Sequence, residues 1–374
     1  MMPPVPDVLV IARSAGRSGG RRHRSLAAAL PVAVTLLTAV LLTACGGSGS
    51  SPQGGGSPSS APASSSPAST PSPSSTPSAA GPPAVVAVTK AGALVLLDPA
   101  TGSVARTLVP GGVLGDEISV SPGGSTVYFA RSHGCTTHVE SVPVTGGSAT
   151  VIAKGSLPAI SPDGTKLAIA REPALTTGCV PSESNLVAQY KVVVRTLSSG
   201  SQVTYPMLAA GQSSGLPYPI SHLSWASDGI RLAVSILSPE DNEGWNLVIM
   251  DTATAKYYLA GTGDTFVPAT GHPSARDSYL REGVFMPNGD LFVSRACCAG
   301  IPVRNTSRLM WEVTTSGTLV HQVAIGFASL EHTSLDVNAT GRWLLYLAGD
   351  ILYVSHDGNT PRQLTTGLIA AAWL

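Results

Sequence analysis

One pattern recurs along the second part of the chain and limits its fold more than any other feature. It is an apolar strand, a tight turn ending in glycine, and a second apolar strand. The first copy is Ile118-Ser119-Val120, Ser121-Pro122-Gly123-Gly124, Val127-Tyr128-Phe129. The second is Ala159-Ile160, Ser161-Pro162-Asp163-Gly164, Leu167-Ala168-Ile169, and the third is Leu223-Ser224-Trp225, Ala226-Ser227-Asp228-Gly229, Leu232-Ala233-Val234. The fourth is Val284-Phe285, Met286-Pro287-Asn288-Gly289, Leu291-Phe292-Val293, and the fifth is Leu335-Asp336-Val337, Asn338-Ala339-Thr340-Gly341, Trp343-Leu344-Leu345. Asp-Gly or Asn-Gly between apolar runs predicts a hairpin, here of type I′, because both central residues of that turn need positive φ. Two more strand-like segments follow each hairpin, as in Lys191 to Leu197 and Gln202 to Met207. The unit is therefore four antiparallel strands, a to d, with the glycine turn between a and b.

The two ends of this region complement each other. Val85 to Thr89, Ala93 to Leu97 and Val104 to Val109 read as strands b, c and d without an a. Leu368 to Leu374 reads as an a without the rest, with Trp373 placed as Trp225 is before its own turn. The economical arrangement closes a ring: the tail completes the opening unit, leaving only short, protected sheet edges. The expected fold is all-β, a six-bladed β-propeller over residues 84–374, and turn spacings of roughly 40 to 65 residues suit propeller blades. The Ser-Pro-Asp-Gly turn after an apolar or Trp position resembles the repeat of TolB-type propellers. Ser161 to Gly164 match it fully and the other turns diverge. The resemblance implies the fold and, by analogy, protein–protein contact in a bacterial envelope. It does not imply one activity, since propellers host many.

The N-terminal part reads as targeting sequence. Arg13, Arg17, Arg21, Arg22 and Arg24 form a basic leader, and Leu26 to Ala44 is an uncharged apolar run at the short end for a membrane span. It ends in Leu42-Thr43-Ala44-Cys45, which resembles the lipobox of bacterial lipoproteins. The resemblance implies cleavage before Cys45, lipidation of its thiol, and anchoring on the outer side of the cell membrane after general secretion. Residues 1–44 are then signal peptide. Residues 45–83 are the lipidated cysteine and a Ser/Pro/Gly tether that cannot bury a core and reaches roughly 35 Å as a coil. The Gly/Ala/Pro-rich composition and this tether have an actinobacterial look.

The other four cysteines, Cys135, Cys179, Cys297 and Cys298, all fall in predicted b–c loops. In an oxidising compartment disulfides are expected. Cys135 with Cys179 would staple neighbouring blades. Cys297 with Cys298 would form a strained vicinal bridge. Cross-pairing and free thiols stay open. The longest loops, Pro173 to Tyr190, Ala209 to Ser221 and Gly261 to Tyr279, share the b–c and d–a face, which makes that face the expected binding side.

Four residues before each turn stand Glu117, Leu157, His222, Glu282 and Ser334, with Ala370 in the tail and Arg281 and His332 close by. Glu117, His222, Arg281, Glu282 and His332 are candidate ligand-binding residues at the channel mouth. Convergence of Glu117, His222 and Glu282 on a metal is an alternative to a ring of solvated side chains. No catalytic set, cofactor motif or zinc spacing is present. Gly211-Gln212-Ser213-Ser214-Gly215 fits a hydrolase string but lies in a propeller loop, and Gly16 to Gly20 repeats it inside the leader. Net charge is +0 with 12% charged residues, so nucleic acid is not an expected partner. The expectation is a monomeric, lipid-anchored binding or scaffold module for an envelope protein, peptide or glycan. A lactonase-like or glycan-cleaving enzyme using Glu117, Glu282 and His222 is the alternative.

Overall fold

The computed structural model describes residues 82–171, 190–206, 220–238, 244–259, 278–297, 309–316, 318–325 and 332–374. They form six four-stranded antiparallel sheets. Blade I is β1 (Val85–Thr89), β2 (Leu94–Leu97) and β3 (Val104–Val109), completed on its inner edge by the last strand, β24 (Leu368–Trp373). Blade II runs β4 (Val113–Val120), β5 (Thr126–His133), β6 (Thr136–Pro143), β7 (Thr150–Lys154), and blade III runs β8 (Ser156–Ile160), β9 (Lys166–Arg171), β10 (Lys191–Thr196), β11 (Gln202–Pro206). Blade IV is β12 (Ile220–Trp225), β13 (Arg231–Ser238), β14 (Gly244–Asp251), β15 (Lys256–Leu259). Blade V is β16 (Ser278–Phe285), β17 (Leu291–Cys297), β18 (Leu309–Val313), β19 (Leu319–Ile325), and blade VI is β20 (His332–Val337), β21 (Trp343–Ala348), β22 (Ile351–His356), β23 (Arg362–Thr366).

The tail does close the ring. β24 pairs antiparallel with β1, Val85 opposite Trp373 and Val88 opposite Ala370, and the Leu374 amide donates to the Ala84 carbonyl at 2.8 Å. The packing is what a ring requires. Alternation sends Val85 and Ala87 to one face of β1 and Val86 and Val88 to the other. The first pair joins Leu345, Leu347, Leu352 and Val354 of blade VI in one buried cluster, and the second joins Ile118, Val127 and Phe129 of blade II in another. Both faces of the opening blade are thus buried, which explains its near-continuous apolar sequence. Further clusters fill the remaining seams between neighbouring blades.

The I–VI seam also carries polar fastenings on its outer side. Arg362 donates to the carbonyls of Pro99 and Ala100 at 3.0 and 3.1 Å, and Lys90 pairs with Asp350 at 2.6 Å. Gly102, at φ 72°, lies so close under Leu364 that an added Cβ would run into the Leu364 carbonyl oxygen. Asp98 holds this loop by accepting from the Ala100 and Thr101 amides at 2.9 and 2.8 Å, which keeps its carboxyl below the usual range.

The glycine turns differ from the type I′ expectation. In four of the five turns only the fourth residue, as in Gly164 (φ 71°) and Gly229 (φ 64°), is left-handed, and Asp163 and Asp228 are not; in Ser121–Gly124 both Gly123 (φ 82°) and Gly124 (φ 70°) are. The Gly164 amide donates to the Ser161 carbonyl at 2.8 Å, and the Lys166 carbonyl accepts from the Ser161 amide at 2.8 Å. This is a type I turn followed by a left-handed glycine, the longer hairpin loop. The first turn residue closes it with its side chain: Ser121, Ser161 and Asn338 accept from the Thr126, Lys166 and Trp343 amides. Pro122, Pro162 and Pro287 at the second position suit the φ that a type I turn requires there.

Candidate functional site on the propeller axis

Strand a is the inner edge of every blade, so one side of its backbone has no sheet partner. Unpaired edge amides are costly unless something else accepts from them. Here the neighbouring blade supplies the acceptor, from the position two residues before the turn. Ser119 Oγ accepts from the Ile160 amide at 3.0 Å, Ser224 Oγ from Phe285 at 3.1 Å, and Asp336 Oδ2 from Trp373 at 2.8 Å. These join blades II to III, IV to V and VI to I. Between III and IV the later blade again donates, but from a side chain to the backbone: the Trp225 indole donates to the Ala159 carbonyl at 2.9 Å. Between V and VI, Glu282 Oε1 accepts from the Leu335 amide at 3.2 Å.

All six a–b pairings carry a register shift, and it falls at or beside the position four residues before the turn. Such bulges re-aim a side chain. Two of them hold non-glycine residues in the left-handed region, Leu157 (φ 50°) and Ser334 (φ 52°). Two of the predicted residues meet there. His222 Nδ1 lies 3.0 Å from Glu282 Oε1, with the two residues only 4% and 7% exposed. The pair is therefore a seam contact between blades IV and V rather than part of an open polar ring. Leu157 and Ala370 at the same position are buried. Glu117, Arg281 and His332 have their backbones in β4, β16 and β20, and their side chains lie outside the described residues. Among the described residues no group of three or more His, Cys, Asp or Glu is arranged to hold a metal.

Cys135, exposed at the β5–β6 turn, is disulfide-bonded, and its partner lies outside the described side chains. Cys45, Cys179 and Cys298, the side chain of Cys297 and the Gly211–Gly215 string all lie outside them too, as does nearly all of the three long loops.

The cavity on the axis sits at the a–b turn end, opposite the loop-rich face that the sequence favours. Its volume is about 700 Å³. Polar lining comes from Ser119, Ser224, Asp336 and Asn338, and apolar lining from Val284, Ala372 and Leu374, with Pro83 at the wall. His222 and Ser334 reach it as well. Among the described residues that line it, Asp336 is the one acidic side chain, and there is no lysine or arginine. Each carboxylate oxygen holds one amide, Oδ1 that of Val337 and Oδ2 that of Trp373, both at 2.8 Å. Burial nevertheless raises its carboxyl to about 6, against those two amides and the field of His222. Sequence reasoning missed Asp336 and the two serines. The signal was a polar residue two places before the turn in alternate blades.

These features define a closed six-bladed propeller with a polar cavity on its axis, into which Asp336 brings a carboxylate. No protein-family model matches the chain, and no curated protein matches it in sequence. Among solved structures it is similar to TolB of Acinetobacter baumannii, with a TM-score of 0.51 and 13% identity over 78% of this chain. It spans 65% of the length of that TolB. It is also similar to a putative TolB of Agrobacterium tumefaciens, with a TM-score of 0.48 and 12% identity over 76% of this chain and 90% of that one. The chain has a TolB-like propeller fold.

Proposed function

We propose that this protein is a lipid-anchored, extracytoplasmic propeller that binds an envelope protein, peptide or glycan. The observation that carries the reading is the cavity of about 700 Å³, set in a ring closed by its own last strand and lined by both hydroxyl and apolar groups. Preformed pockets of this size and mixed lining suit ligand recognition. The TolB-like fold fits a binding or scaffold role, as analogy only. The anchor rests on the basic leader, the apolar run and Leu42-Thr43-Ala44-Cys45. Two or three acyl chains on Cys45 would hold the module at the outer face of the membrane. The hydrolase alternative draws no support from His222 and Glu282, which are buried between blades and committed to each other and to the Leu335 amide.

Cross-linking in native membranes followed by mass spectrometry tests the binding role. Capture of one envelope partner through residues of the described ring supports it, and recovery of nothing above a control lipoprotein overturns it. Labelling with a palmitate analogue, abolished by Cys45→Ala, tests the anchor. Non-reducing peptide mapping tests whether Cys135 pairs with Cys179, the expected inter-blade staple.

A further inference from the structure

The cavity has a one-sided charge. Among the described residues that line it, Asp336 is the only acidic side chain, and there is no lysine or arginine. Four other acids of the ring have cations of their own: Glu140 has Arg131 at 3.2 Å, Asp228 has Arg231 at 2.6 Å, Asp350 has Lys90 at 2.6 Å and Asp357 has Arg342 at 2.6 Å. Asp336 has two backbone amides instead, one on each oxygen. A carboxylate offers about four lone-pair sites, so each oxygen keeps capacity for another donor. His222 on β12 is the charged or chargeable neighbour, and it is held by Glu282 of β16.

The walls say what should carry that donor. Val120, Val337 and Leu374, each partly exposed at the wall, offer aliphatic surface in the cavity, suited to the methylene stem of a long basic side chain. The aromatic residues at the wall, Trp225, Phe285 and Trp373, are wedged between blades and only 7%, 8% and 5% exposed. They present no open ring face on which a sugar could stack. Ser119 and Ser224, whose oxygens accept from seam amides, have hydroxyl protons to donate to the carbonyls of a flanking peptide backbone.

Resting on the binding role proposed above, we infer that the axial cavity receives a lysine or arginine side chain of a partner polypeptide, with Asp336 as its counter-ion. Desolvation in the cavity holds the Asp336 carboxyl at about 6, and an arriving cation relieves that cost.

The test is calorimetric titration of the full chain in detergent micelles with three probes: acetyl-Gly-Lys-Gly-amide, the same peptide with norleucine for lysine, and a glucosamine disaccharide. The lysine peptide should bind at millimolar concentration and the norleucine peptide at least about tenfold more weakly, as loss of a charge-assisted contact implies. Asp336→Asn should lose a similar factor for the lysine peptide and show no preference for it over norleucine. Equal binding of the two peptides by the unaltered protein overturns the inference without any variant. So does absence of lysine-peptide binding, or a preference that survives in Asp336→Asn. Binding of the disaccharide alone assigns the cavity to an amino sugar and rejects the polypeptide. If a partner is captured in membranes while the lysine preference is absent, the binding role stands and this inference falls. If no partner is captured, the binding role itself falls.

Discussion

Asp336 makes the stability of the ring depend on pH in an unusual direction. Its carboxyl is raised from 3.8 to about 6, with burial as the leading cause. A raised folded-state value means that the protonated form is favoured in the fold. The stabilisation is fully present below the unfolded value near 4 and is lost as pH rises through about 6. A difference of about two units corresponds to about 3 kcal/mol over the whole titration, and roughly half of it falls between pH 5 and 7.5. Acidification across that window should therefore stabilise this protein, where paired carboxylates such as Asp350 and Asp357, whose values are lowered, begin to act in the opposite sense only at lower pH. The assay is urea unfolding at several pH values for the parent chain and for Asp336→Asn. The variant carries its own constant cost, because its amide nitrogen faces one of the two backbone N–H donors. The informative quantity is the slope. The parent should gain about 1–2 kcal/mol more than the variant between pH 7.5 and 5. His222 and Glu282 are present in both proteins and cancel to first order. Equal slopes, or a parent that loses stability relative to the variant on acidification, would refute the burial argument.

Two further substitutions probe the seams. Gly102→Ala should cost roughly 1–3 kcal/mol in thermal or urea unfolding, from a left-handed backbone and a clash with the Leu364 carbonyl. A cost like that of an ordinary surface change would mean that the β2–β3 turn does not abut blade VI. Ser224→Ala should cost about 1–2 kcal/mol by stranding the Phe285 amide on the inner edge of β16, whereas Ser199→Ala on an exposed turn should be near zero. Equal effects would remove the edge-amide account of the inner strands.

The repeat exposed the architecture because each blade is built from local signals: alternating or continuous apolar runs and a glycine that must be left-handed. Even strand β24 was legible, since Leu368 to Leu374 had the composition of an inner strand and no hairpin to follow it. The turn type was not. Asp-Gly is compatible with both a two-residue and a longer loop, and the choice here goes with the side chains of Ser121, Ser161 and Asn338, which accept the amide that a shorter loop would not present. The acid that lines the cavity stands two positions nearer its turn than the candidates singled out from the sequence. Of the residues four before the turn, the bulges draw His222 and Glu282 into a seam. Asp336, two before the turn, looks in sequence like any solvated strand residue. Its role depends on Trp373, 37 residues later and in a different blade.

Closure of the ring by the last strand is tested most directly by hydrogen exchange of the native full chain, resolved by mass spectrometry. Amides of Val85–Thr89, and those of Leu368–Trp373 that face β1, should be protected together, exchanging only with global unfolding, as expected for paired strands buried on both faces. Rapid exchange across 368–373 while the other inner strands stay protected would contradict closure, and with it the cavity and the role given to Asp336.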